Sequence, residues 1–179
     1  MRVAHVRPGP AACRAVTACA VACVLAAGAA PRASSAGESA TLCPGDEPVR
    51  FACTMARSGK RVSICEGAQG LVYRFGTPGR IELRLPDPKA PAAPYLFHER
   101  LGSAETKGVA FPRGAYAYVV THFVGGRPVI EELAISVQRD GQPSALLKCA
   151  ARPTPVGDLP ALFERLREQG LRVVGPDGR

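Results

Sequence analysis

Several familiar signatures are missing from this sequence. It has no P-loop, no dinucleotide-binding glycine pattern and no His-Glu-x-x-His helix, which removes the common marks of phosphate, dinucleotide and zinc-protease chemistry. Tryptophan is absent, and methionine occurs only at Met1 and Met55. The most apolar stretch, Ala15 to Ala30, is too short to span a bilayer comfortably. Beyond residue 36, Lys and Arg form no block of the kind that tracks phosphates, so no nucleic-acid partner is expected. The four cysteines of that part, Cys43, Cys53, Cys65 and Cys149, contain no C-x-x-C pair, which argues against zinc. No metal or other cofactor is expected.

What is present begins with a distinct leader. Residues 1–36 hold Arg2, Arg7, Arg14 and Arg32 but no Asp or Glu. A positive start, the apolar middle and a small-residue end predict a secretory signal peptide over 1–36. Ala27-Gly28-Ala29 and Ser34-Ser35-Ala36 both suit cleavage, the second slightly better. Val16-Thr17-Ala18-Cys19 resembles a lipobox, but cleavage there would leave the most apolar residues downstream. The protein is therefore expected to be exported, periplasmic or secreted, with no stable membrane insertion after cleavage. Without the four leader arginines, 19 Lys and Arg remain against 15 Asp and Glu, a net charge of +4.

About 143 residues then remain, enough for one domain. An even number of cysteines in an exported domain predicts two disulfides, with three connectivities open. The stretch Phe51 to Pro86 reads as two consecutive β-hairpins. Val49, Phe51, Cys53 and Met55 alternate onto one face, and Ser58-Gly59 suits a two-residue turn. That turn opposes Met55 to Val62 and Cys53 to Ile64, with Cys65 on the other face. Pairing Cys53 with Cys65 instead would set Met55 against Ser63. The hydrophobic pattern favours the first register, so Cys53 is expected to reach Cys149, leaving Cys43 for Cys65. Around Thr77-Pro78-Gly79, the second hairpin is expected to pair Phe75 with Ile81, Tyr73 with Leu83 and Leu71 with Leu85. Its other face would set Arg74 against Glu82.

Residues 37–48 are rich in turn-formers and read as an irregular lead-in. Pro86-Asp87-Pro88 ends a strand, and the loop up to Pro94 is too proline-rich for central pairing. Further strands are expected at Tyr95–Leu101, Val109–Phe111, Ala115–Val124, Val129–Val137 and Ala145–Ala150. Gly102–Gly108 reads as a flexible polar loop carrying Ser103, Glu105, Thr106 and Lys107. Asp158, Pro160 and Gly170 bracket a helix over 158–169, whose Leu159, Leu162, Phe163 and Leu166 form an apolar stripe. The fold class is all-β: a small antiparallel barrel or sandwich of eight to nine short strands with one C-terminal amphipathic helix. One β domain spans 49–174, followed by a tail at 175–179.

Catalytic constellations are hard to find. Past residue 36 the histidines are His98 and His122, and Ser39, Ser58, Ser63, Ser103, Ser136 and Ser144 sit in no nucleophile-elbow pattern. His98-Glu99 with His122 is the one conceivable metal set, and isolated strand histidines are more often half-buried polar residues. Glu131 and Glu132 are strand neighbours on opposite faces and could not flank one bond. Tyr116 and Tyr118 share a face with Val120 and His122; such stripes usually pack.

The run FACTMARSGKRVSIC, LVYRFGTPGRIEL, AFPRGAYAYVV and ALLKC looks like a family of exported bacterial proteins, a likeness that implies export and no particular activity. The chain also resembles the periplasmic inhibitors of C-type lysozyme, which are small antiparallel barrels. That resemblance implies a disulfide from the first strand to the last, Cys53 in FAC to Cys149 in LLKC. It further implies that Gly102–Gly108 corresponds to the loop that enters the lysozyme cleft, with Ser103 the nearest match. The Phe-Trp strand of those inhibitors has no counterpart. The functional expectation is a non-enzymatic, disulfide-stabilised envelope protein that binds an envelope or extracellular protein or glycan, with Ser103, Glu105, Thr106 and Lys107 as the candidate binding loop. The alternatives are a structural or stress-resistance envelope component with no ligand site, or a lysozyme inhibitor.

Overall fold

Alternation of apolar and polar residues between tight turns produces ten strands among the described residues. The computed structural model describes residues 41–176. The expected signal peptide, its cleavage sites, the lipobox-like segment, residues 37–40 of the lead-in (Ser39 among them) and residues 177–179 of the tail lie outside the described residues. Strands β1 (Val49–Thr54), β2 (Arg61–Gly67), β3 (Gly70–Thr77) and β4 (Arg80–Leu85) form a four-stranded antiparallel meander. Strands β5 (Tyr95–Leu101), β6 (Ala104–Arg113), β7 (Tyr116–Gly125), β8 (Ile130–Arg139) and β9 (Gln142–Lys148) form the antiparallel part of a second sheet. Its sixth strand, β10 (Val173–Val174), lies parallel to β5, with Val173 opposite Leu96 and Val174 opposite Phe97. The sheets do not close into a barrel, so the all-β expectation resolves to a sandwich-like fold. The strands number ten rather than eight or nine, and β10 departs from the antiparallel expectation. It pairs parallel because the helix before it returns the chain to the β5 edge.

The core lies between the sheets. Phe51, Val62, Ile64, Tyr73 and Leu85 from the first sheet meet Leu96, Val109, Phe111, Val120 and Ile135 from the second, all at most 1% exposed. Each such side chain contributes roughly 1.5–3 kcal/mol by leaving water. Tyr73 is central, with its ring 5.4 Å from Phe111 and 6.0 Å from Tyr118. Burial raises the Tyr73 phenol above its ordinary range and keeps it neutral. Tyr118 packs against the core, whereas Tyr116 stands at the strand end under the Arg139 guanidinium.

Both hairpin registers differ from expectation by two residues, while the faces are unchanged. In the first hairpin Cys53 pairs with Val62 and Phe51 with Ile64, and the turn is longer than Ser58-Gly59. Met55 N–H donates to Lys60 O at 2.7 Å, so Ala56 to Gly59 form a four-residue turn in which Gly59 takes φ 66°. In the second hairpin Tyr73 pairs with Leu85 and Phe75 with Leu83, around a two-residue Pro78-Gly79 turn and a bulge at Gly76. Gly76 has φ 148°, and a Cβ there would stand 2.3 Å from Arg80 O, so the bulge requires glycine. A two-residue shift preserves every inward side chain, so hydrophobic patterning does not choose between such registers. Arg74 therefore opposes Arg84 rather than Glu82. Its partner is Glu47 from the lead-in, at 2.8 Å from Nη2 to Oε1, and Glu82 instead accepts from Lys60 Nζ at 2.7 Å.

Both expected disulfides are formed, Cys43–Cys65 with Cα atoms 5.6 Å apart and Cys53–Cys149 with Cα atoms 5.8 Å apart. The first ties the lead-in across the outer face of β2, where Leu42 N–H also donates to Ser63 Oγ at 2.9 Å. The second crosses from β1 to the residue after β9. There Met55 forms a bridge with Cys149, Ala56 N–H donates to Lys148 O and Ala150 N–H to Thr54 O. The following chain stays on the β1 edge, where Ala52 and Val156 exchange hydrogen bonds.

Helix α1 (Leu159–Glu168) forms as expected within a residue at each end. Asp158 Oδ1 accepts from Ala161 N–H at 2.9 Å and satisfies one of the free first-turn donors. At the other end Gly170 has φ 85°, its N–H donates to Arg167 O, and Leu171 N–H reaches Leu166 O. This double closure is the glycine-terminated helix stop. Leu159, Leu162, Phe163 and Leu166 are buried against the core.

Candidate functional site

The six-stranded sheet has two faces with different neighbours. Leu96, Val109, Val120 and Ile135 point to the core, so by alternation Phe97, Thr106, Thr121, Ala134 and Ser136 point away from it. The outward residues fall in cross-strand rows. One row runs Glu99, Thr106, Phe123, Glu132; the next runs Phe97, Gly108, Thr121, Ala134, Lys148. In the second row the small Gly108, Thr121 and Ala134 lie between Phe97 and Lys148, and a groove of about 610 Å³ opens on the outer face. It reaches from Phe97 and Glu99 on β5 to Leu146 and Lys148 on β9, and Pro176 adds to the lining.

Its chemistry is mixed. Phe97 and Phe123 supply ring surface, and Ile130 and Leu146 are large apolar side chains left 51% and 56% exposed. Thr106, Thr121, Ser136, Gln138 and Gln142 supply hydroxyls and amides. Thr121 Oγ1 donates to Ala134 O at 3.2 Å. Lys148 pairs with Glu132, whereas Glu99 has no ion-pair or hydrogen-bond partner among the described residues.

The expected polar loop is not a loop. Only Gly102 and Ser103 form the turn, with Leu101 opposite Ala104, and Glu105, Thr106 and Lys107 lie inside β6 between β5 and β7. Their polarity suggested a loop, but Glu105 is paired across the sheet and Lys107 to the helix. His98 Nε2 lies 2.9 Å from Glu105 Oε1, and Arg100 Nη2 donates to the same oxygen at 2.8 Å. The His98 imidazole first, and then Arg100 and the nearby Lys107, hold the Glu105 carboxyl down at about 2. Lys107 Nζ donates to Glu164 Oε1 of α1 at 2.8 Å and sits over the Phe163 ring, joining helix to sheet. Thr106 faces the groove.

His98 and His122 share the core-side face but are separated by Lys107, their common cross-strand neighbour. His122 pairs with Glu131 at 2.6 Å, and Glu99 lies on the opposite face from both histidines. Among the described residues no three His, Cys, Asp or Glu side chains converge on a point. Glu131 and Glu132 diverge as expected, one to His122 and the other to Lys148.

Apart from Thr106, the groove residues were not singled out for binding in the sequence because their strands were read for one apolar face. A signal was present: Phe97/Glu99, Gly108/Ala110 and Thr121/Phe123 alternate as small or mixed pairs with the core residues. No protein-family model, curated protein or solved structure matches this chain. Among the described residues no helix is long and apolar enough to cross a membrane.

Proposed function

We propose that this is an exported, disulfide-stabilised protein that acts by binding an envelope or extracellular partner rather than by catalysis, and that the groove on the outer face of the six-stranded sheet is its binding surface. The observation that carries this reading is the groove itself. Its volume, about 610 Å³, lies in the range of ligand sites, and its lining combines rings with a few hydroxyl, amide and charged groups. Two disulfides suit an oxidising compartment. The direct test presents the immobilised protein to a panel of envelope proteins, peptides and glycans, beside a Ser136→Arg variant that fills the groove. Ligands held by the parent and lost by the variant support the proposal. A panel that yields no ligand counts against binding and favours a structural role.

The narrower reading, inhibition of a C-type lysozyme, is supported by the Cys53–Cys149 closure between the first strand and the end of β9. The segment matched to the inhibitory loop is a two-residue turn followed by strand, which weakens it. A lysis assay with C-type lysozyme decides it: an unchanged rate at equimolar protein removes the reading.

A further inference from the structure

Charge accounting singles out one side chain in the groove. Among the described residues the half-buried Lys, Arg, Asp and Glu side chains meet a counter-charge, with Glu99 and Arg165 as the exceptions. Arg165 stands in the last turn of α1, where a cation is favoured by the carbonyl end of the helix. Glu99 has no such compensation. It stands on β5 two residues from Phe97 and directly opposite Thr106, half-buried in the groove lining with no cation paired to it.

The groove also opposes the domain in sign. Residues 41–176 hold 18 Lys and Arg against 13 Asp and Glu, whereas the groove carries Glu99 and Glu132 against Lys148 alone. Resting on the reading of this groove as the binding surface, we infer that it takes an extended peptide segment bearing a Lys or Arg side chain, whose cation pairs with Glu99. Phe123 lies in the same row two strands from Glu99, about 10 Å at ordinary strand spacing, and receives the neighbouring apolar side chain. Ser136, Gln138 and Gln142 line the far side with donors and acceptors suited to a peptide backbone.

The test is a two-dimensional NMR titration of the full chain, both disulfides formed, with blocked Leu-Lys-Leu, Leu-Gln-Leu and Leu-Glu-Leu peptides and with an N-acetylglucosamine trimer as the glycan probe. The lysine peptide is expected to move the amides of Phe97, Glu99, Thr121 and Phe123 and to bind about fivefold more tightly than the glutamine peptide. Glu99→Gln is expected to abolish that preference, so that the lysine and glutamine peptides bind alike. Equal binding of the three peptides, or a preference that survives Glu99→Gln, overturns the cationic assignment and leaves the groove as a binding surface. Movement of these amides by the glycan alone overturns the peptide assignment and likewise spares the groove. If no probe moves them, both the inference and the proposed binding surface fall.

Discussion

In the four-stranded sheet, Arg61 to Cys65 of β2 are all buried, whereas β9 at the edge of the six-stranded sheet is exposed along its whole length. The first sheet is covered within by the core and, over β2 and β3, without by the Leu42–Glu47 lead-in, and both disulfides enter it. The second is packed on one face and presents a groove on the other. The contrast separates two tasks. A sheet clamped covalently and overlaid at its centre is suited to hold geometry, and a sheet with one free face is suited to meet a partner.

The sharpest way to break the contrast is to remove equivalent rings. Tyr73→Ala, in the shared core, is expected to cost about 3–5 kcal/mol, whereas Phe123→Ala in the groove should cost under about 1 kcal/mol. Denaturant unfolding measures both, and equal losses would dissolve the distinction between the faces. Next is the covalent clamp. Cys53→Ser with Cys149→Ser opens a closure of sequence separation 96, against 22 for Cys43–Cys65. Chain entropy then predicts losses of about 4.7 and about 3 kcal/mol respectively. Thermal unfolding of the two double variants should rank them in that order.

A smaller effect is expected at the lead-in. Arg74→Ala leaves Glu47 without its guanidinium and should cost about 1–3 kcal/mol, while the exposed Arg84 opposite it can be removed within about 0.5 kcal/mol. The smallest expected effect is the acid response. Glu105 is held at about 2, below its unfolded value, so its contribution is present above about pH 4.5 and is lost as pH falls toward about 2. Screening at this partly open site limits it to about 1 kcal/mol. Glu105→Gln should flatten stability over that window, and an unchanged acid slope would remove Glu105 from the account. Glu47, lowered by Arg74, contributes with the same sign in the first sheet, so Glu47→Gln should flatten the slope as well.

Much of the architecture was legible before any coordinates. Period-two alternation placed Phe51, Cys53, Met55, Val62 and Ile64 on one face, and that placement sufficed to send Cys53 to Cys149 and Cys65 to Cys43. The same alternation held for Tyr73, Phe75 and Leu83 although both registers were off by two, because inward orientation depends only on parity. Capping chemistry at Asp158 and Gly170 likewise located the helix from local signals alone.

Tertiary structure decided what parity leaves open. The four-residue turn at Ala56–Gly59 and the Gly76 bulge fixed the registers, since loop closure rather than patterning chooses among shifts of two. Arg74 found Glu47 instead of Glu82 because the lead-in is drawn over β2 by Cys43–Cys65. Glu105 and Lys107 became strand residues because partners from β5 and α1 satisfy their charges. The groove needed most from the fold: its lining comes from five successive strands, the Gly141 turn and Pro176, and small residues make a concavity only when neighbouring strands set larger ones beside them. By itself the sequence determined which side chains turn inward and where the chain is covalently tied, because both follow from local periodicity and cysteine placement. Only the assembled sheet decided which outward side chains share a surface, because that depends on the register in which neighbouring strands pair.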